Sequence, residues 1–141
     1  ERIHRGYPLA VFDNAYHRLK AADFTVIVHV ILGFPWESED DMLATIRYLS
    51  ALEPTLDGIK LQLLHVLRGT ELGRMYEAEP FRTLTLDEYC TLVVQCLRLL
   101  PPTTVIHRIT GDGPKRLLLA PLWSANKKLV LNTLNRAIRE A

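Results

Sequence analysis

Phe24-Thr25-Val26-Ile27-Val28-His29-Val30-Ile31-Leu32-Gly33-Phe34-Pro35 is the stretch that decides the fold. Its first nine residues are rich in β-branched types and almost continuously apolar, the pattern of a strand buried on both faces of a parallel sheet. Pro35 has no N–H to give a ladder, so the strand ends at the Gly-Phe-Pro turn. Working outward, residues 8–23 carry Phe12, Ala15, Tyr16 and Leu19 at helical spacing. On the other side Ser38 caps a second helix, with Glu39, Asp40 and Asp41 placed where the helix dipole favours negative charge. Leu43, Ile46, Leu49 and Leu52 face inward along it, and Pro54 closes the segment.

The same unit recurs. Residues 59–66 (IKLQLLHV) read as a second strand, followed by a loop with Gly69 and Gly73 and a short helical piece over 71–77. Thr85 and Glu88 form a capping box for a helix that runs to Pro101 and Pro102. Residues 104–109 are a third strand, ending at Thr110-Gly111-Asp112-Gly113-Pro114, and 125–140 a last helix within a helical extension from about residue 114. The order βαβαβα implies an α/β fold with parallel strands joined by crossovers. Three strands do not close a barrel. The expectation is therefore one domain over 1–141, either a small open sheet or the C-terminal part of a (βα) barrel, with apolar edges that a missing half or an oligomer would cover.

Composition sets outer bounds. With 141 residues, 48% hydrophobic and 23% charged, the chain suits one globular domain. The net charge of +1 gives no global reason to bind nucleic acid or an anionic membrane. From His107 to the end, however, seven Lys or Arg face two acids, so that end is locally basic. No apolar run reaches the roughly 18 residues of a membrane span. The opening residues hold no signal-peptide core, and the lack of an initial Met fits a fragment or a processed product. Cys90 and Cys96 stand about 600° apart around a helix, too far to form a local disulfide or a two-thiolate clip. A reducing cytoplasm is the expected location.

In parallel α/β folds ligands bind at the carboxyl ends of the strands. Each strand carries a histidine in its later half, His29, His65 and His107, which points to a shared cavity. A three-histidine set also suits zinc, although no carboxylate is placed to orient it. Gly33 allows close backbone approach to a ligand. Arg68-Gly69-Thr70 and Thr110-Gly111-Asp112-Gly113 are glycine-containing loops that match no nucleotide fingerprint. Trp36 either stacks on an adenine or caps the rim. Tyr76 and Phe81 read as loop packing, Trp123 as an anchor for the last helix, and Lys60 as a snorkelling lysine or the local partner of Asp57.

Four blocks in order carry a family resemblance: Ile3-His4-Arg5-Gly6-Tyr7; His29-Val30-Ile31-Leu32-Gly33-Phe34-Pro35; Asp57-Gly58-Ile59-Lys60-Leu61-Gln62-Leu63-Leu64-His65-Val66-Leu67-Arg68-Gly69-Thr70; and Val105-Ile106-His107-Arg108-Ile109-Thr110-Gly111-Asp112-Gly113-Pro114. Together with Ala120-Pro121-Leu122-Trp123 they resemble the radical S-adenosylmethionine (SAM) superfamily, in particular the YhcC-type bacterial subgroup related to elongator-type and coproporphyrinogen-dehydrogenase-type members. The resemblance implies a partial barrel of about six strands in the whole protein. It also implies a [4Fe-4S] cluster on a CxxxCxxC loop, reductive cleavage of SAM to a 5′-deoxyadenosyl radical, and hydrogen abstraction from a substrate.

No CxxxCxxC motif occurs here, so cluster ligation is expected outside this chain, which alone would be inactive and holds no metal. Arg5 matches the arginine that pairs with the SAM carboxylate, an anion suited to a guanidinium fork. His29 matches the strand position at the SAM ribose, where many relatives have Asp. Gly33, Phe34 and Pro35 match the turn beside the adenine. His65, Thr70, His107 and Asp112 match subgroup features, and inward strand positions make the histidines candidates for substrate contact. The substrate class, tRNA or a small molecule, stays open. Beside this reading stand a zinc hydrolase built on His29, His65 and His107, and a non-enzymatic RNA-binding module using the basic C-terminal region.

Overall fold

The protein is described by a computed structural model covering residues 9–111 and 114–141. Helix α1, Leu9–Ala21, leads into strand β1, Ile27–Leu32, and helix α2, Glu39–Ser50, leads into β2, Gly58–Leu63. Then follow a two-residue strand β3, Val66–Leu67, and helices α3, Glu71–Ala78, and α4, Leu86–Leu99. Strand β4, Val105–Arg108, a short strand β5, Leu118–Ala120, and helix α5, Lys127–Glu140, complete the chain. Strands β1, β2 and β4 form one parallel sheet in that order, with Ile27 opposite Gly58 and Gly58 opposite Val105. The α/β class and the parallel crossovers are as expected.

The capping chemistry is local and is found where the sequence puts it. The Ser38 hydroxyl accepts from the Asp41 N–H while the Asp41 carboxylate accepts from the Ser38 N–H. Thr85 and Glu88 form the same reciprocal pair at α4. Each cap satisfies donors that the first helical turn leaves open, a contribution of about 1 kcal/mol. Arg82 adds an ion pair to Glu88.

One face of the sheet builds the core. Ile59, Leu61 and Leu63 of β2 and Val30 and Leu32 of β1 pack against Ile46 and Leu49 of α2, Leu92, Val93 and Cys96 of α4, and Val130 and Leu134 of α5. Tyr16 fixes α1 to this core, buried and donating its hydroxyl to the Pro54 carbonyl at 2.6 Å. The Trp123 indole donates to the Leu84 carbonyl at 3.0 Å and lies beside Tyr89, tying the approach to α5 to the start of α4 as expected.

Three expectations change. β1 is not buried on both faces: Val30 and Leu32 are buried, but Ile27 and Ile31 are 39% and 40% exposed and His29 is exposed. A continuous apolar run suits burial on both faces, yet does not say which face this chain covers itself. Second, residues 59–66 are not one strand. The parallel strand stops at Leu63, and Val66 and Leu67 pair antiparallel with Ala120 and Leu118 of β5. Leu64, Val66 and Ala120 make a second small core with Phe34, Leu72, Tyr76, Phe81 and Leu119, the last two aromatics meeting edge-on at 5.1 Å. Strand β5 had no counterpart in the sequence reading. Third, Asp57 pairs not with Lys60 but with Lys20 of α1, at 2.7 Å, and also accepts the Val26 N–H at 2.8 Å.

That last pair makes a pH prediction. The Lys20 ammonium, then the Val26 N–H, hold the Asp57 carboxyl below its ordinary value. A carboxylate depressed in the folded state stabilises above its unfolded pKa of about 4, and that stabilisation disappears as pH falls through the folded value. Asp57→Ala is expected to cost about 1–2 kcal/mol at pH 7, since the side chain is partly solvated. Denaturation at pH 7 and at pH 3 checks it: the gap between variant and parent narrows in acid. A gap independent of pH contradicts the pairing.

Candidate functional site

The uncovered face of the sheet is the site's floor. Along β1 it carries Ile27, His29 and Ile31, and along β2 Gly58, Lys60 and Gln62, with His29 opposite Lys60 and Ile31 opposite Gln62. Across to β4, Lys60 pairs with Arg108, and the pairing skips His107 at an irregularity between Ile59 and Lys60. Helices cover the other face, so these residues look toward the side that a closed barrel would fill with its interior.

At the carboxyl end of β1 the chain turns at Gly33, whose φ of +109° only glycine adopts without strain. The turn is held by contact of the Gly33 N–H with the Met42 sulfur at 3.2 Å and by a Glu37 N–H to Phe34 carbonyl bond at 3.1 Å. Phe34 packs into the second core, and its ring stacks on Trp36 at 5.1 Å between centroids. Pro35 is exposed at the tip. His29 is thus an exposed imidazole on the open face, four residues before the turn in the chain.

The histidines do not meet at one point. His65 lies beyond the end of β2, between the strand ends and the helices, lining a small cavity of about 10 Å³ with Tyr89, Thr110, Gly111, Ser124 and Lys127. Gly111 crowds it so closely that a Cβ there would stand 2.7 Å from its Nε2. His107 lies over Gly58 and lines an open cavity of about 550 Å³ at the entry ends of the strands with Thr25, Thr55, Asp57 and Thr103. Among the described residues no group of three His, Cys, Asp or Glu is placed to hold a metal ion, so the three-histidine zinc arrangement is not formed. Thr70 is the cap of α3: its hydroxyl accepts the Gly73 N–H at 3.0 Å and donates to the Leu67 carbonyl at 2.7 Å. Arg5 and Asp112 lie outside the described residues.

The cysteines have no ligand role here. Both are buried in α4, and burial raises both thiols, Cys96 to about 12. A cluster takes thiolates, and buried apolar surroundings hold these as thiols. Tyr89 beside them is raised by burial too and donates its hydroxyl to the Ile109 carbonyl at 2.7 Å. Sequence reasoning missed Arg108 as the cross-strand neighbour of Lys60, because register is not written in either strand alone.

The Radical_SAM C-terminal domain family matches residues 56–140. The Bacillus subtilis protein YtqA, itself uncharacterized, is 36% identical over 136 residues, covering 96% of this chain and 42% of that protein. Escherichia coli YhcC is 30% identical over 139 residues, covering 99% of this chain and 44% of that protein. This chain therefore spans less than half the length of these relatives. The solved structure of Elp3 from Methanocaldococcus infernus, with an N-terminal deletion, superimposes with a TM-score of 0.76 over 94% of this chain and 32% of that one. At 20% identity that likeness speaks for the fold. With the parallel one-sided sheet, the expected resemblance is met: the chain belongs to the radical SAM superfamily, within the Radical_SAM C-terminal domain family.

Proposed function

We propose that this chain forms the C-terminal wall of a radical SAM enzyme, its open sheet face lining a cavity completed by another part of the same protein. The carrying observation is the one-sided sheet: helices cover one face of β1 and β2, β4 is exposed along its length, and Ile27, Ile31 and Val105 stay 39%, 40% and 55% exposed on the other face. Burying such a side chain completely is worth about 1.5–3 kcal/mol, so covering the part these still expose would recover roughly 1 kcal/mol each in a closing barrel. Relatives more than twice as long have the residues to do so.

In this reading Arg5 pairs with the SAM carboxylate, His29 reaches the ribose hydroxyls, and Gly33, Phe34 and Pro35 border the adenine. The residues suit the ligand. His29 is exposed on the face, and the Gly33 turn lies at the carboxyl end of the same strand with Pro35 exposed at its tip. The cluster does not fit this chain: the described residues offer no ligand group and both thiols are buried, so its ligands belong to the rest of the protein. Bound together, SAM and a [4Fe-4S] cluster supply a carbon radical that takes hydrogen from a substrate. This chain's part is to bind and orient the cofactor, and by itself it is inactive. Of the substrate-side residues Asp112 alone stays in that role, because His107 lines the cavity at the entry ends of the strands, the end opposite the Gly33 turn. The Thr70 hydroxyl is committed to its cap, and His65 sits between strand ends and helices.

Equilibrium binding of SAM to the full-length protein tests the assignment. Arg5→Ala is expected to weaken binding about 10- to 100-fold, the loss of a charge-assisted pair, and His29→Ala by about 3- to 10-fold. Unchanged affinity on replacing Arg5 would remove it from the site.

A further inference from the structure

The open face holds a charge pattern that neither the packing nor the SAM contacts use. Pairing sets His29 beside Lys60 and Lys60 beside Arg108, a row across all three parallel strands. Neighbouring strands lie about 4.8 Å apart, so the row spans roughly 10 Å and its long side chains can converge on one group. Lys60 is half-buried and Arg108 exposed. Among the described residues neither makes an ion pair or a hydrogen bond. Of the other residues of the face, Ile27, Ile31, Gly58, Gln62 and Val105 carry no charge, and the His107 imidazole lies over Gly58. Asp57, just before β2, is already held by Lys20 and the Val26 N–H.

Like charges directly across a sheet repel, and a half-buried ammonium without a counter-ion is costly. The row is therefore short of an anion. Arg108 brings a planar fork that matches two oxygens, and Lys60 a point charge beside it, the combination suited to phosphate or carboxylate. We propose that Lys60 and Arg108 bind an anionic group, phosphate or carboxylate, of the substrate, over β2 and β4 beside SAM held over β1. The proposal rests on the cofactor reading above and adds the class of substrate.

Calorimetric titration of the full-length protein with inorganic phosphate, and separately with succinate, without SAM, reads this site directly. One of the two is expected to bind saturably, and which one does tells phosphate from carboxylate. Lys60→Met and Arg108→Gln should each weaken that binding at least about tenfold, while Lys60→Arg retains it. Arg108 is an exposed edge-strand residue, so its variant tests the site even where Lys60→Met lowers stability. SAM affinity of both variants should stay within about twofold of the parent. No saturable binding of either anion, or binding untouched by both substitutions, overturns the proposal. A parent that binds the anion through Lys60 and Arg108 but not SAM keeps the anion site and sinks the cofactor reading instead.

Discussion

Replacing Gly73 by Ala is expected to destabilise the protein by about 3 kcal/mol, although alanine is the better helix former. Gly73 lies in the first turn of α3, where Gly→Ala in an open helix gains roughly 1 kcal/mol. Here the sign reverses. A Cβ at this position would stand 2.0 Å from the Leu67 carbonyl oxygen and 3.1 Å from the Thr70 hydroxyl. The Leu67 oxygen cannot retreat, since it accepts from the Thr70 hydroxyl and N–H while Leu67 pairs with Leu118 in the second sheet. Relief requires moving α3 off β3, which disturbs the small core of Leu64, Val66 and Ala120 that also seats Phe34. Gly69→Ala is the control: a Cβ there meets nothing within 4 Å, and only its φ of +89° strains the variant, about 1 kcal/mol. Thermal unfolding of both variants checks the ranking. Equal melting temperatures would show that α3 does not sit this tightly on Leu67.

What the sequence revealed follows the range of each interaction. The caps at Ser38 and Thr85 were legible because cap and partner are three residues apart. The parallel alternation was legible from the recurring strand-then-helix unit. The stop after Leu63 was hidden, because Leu64-His65-Val66 continues the apolar run while its chain switches to a different sheet. Asp57 drew attention to Lys60 nearby, yet its partner Lys20 is 37 residues away and is brought in by the packing of α1. Thr70 looked like a loop residue available to a ligand, but its hydroxyl closes the first turn of a helix.

The candidate site divides in the same way. His29 and the turn at Gly33 could be singled out from local pattern, and the sheet places His29 on the open face. The three histidines share a strand position in the sequence but not a place in space. His65 lies past the strand end and His107 falls at a pairing irregularity, and neither displacement is encoded by spacing alone. Arg108 becomes a neighbour of Lys60 through register, which only the assembled sheet defines.

The largest effect expected of the account is all-or-none, the cleavage of SAM by the full-length protein. In the proposed reading the full-length protein supplies the complement of the open face and the cluster ligands that the described residues lack. The anaerobically reconstituted full-length protein, given a strong reductant and SAM, should show cluster absorbance and release 5′-deoxyadenosine with methionine. Removing the upstream cluster cysteines should abolish both. A full-length protein that takes up no cluster, or that carries one and leaves SAM intact, would contradict the claim that this bare sheet face belongs to a radical SAM active site.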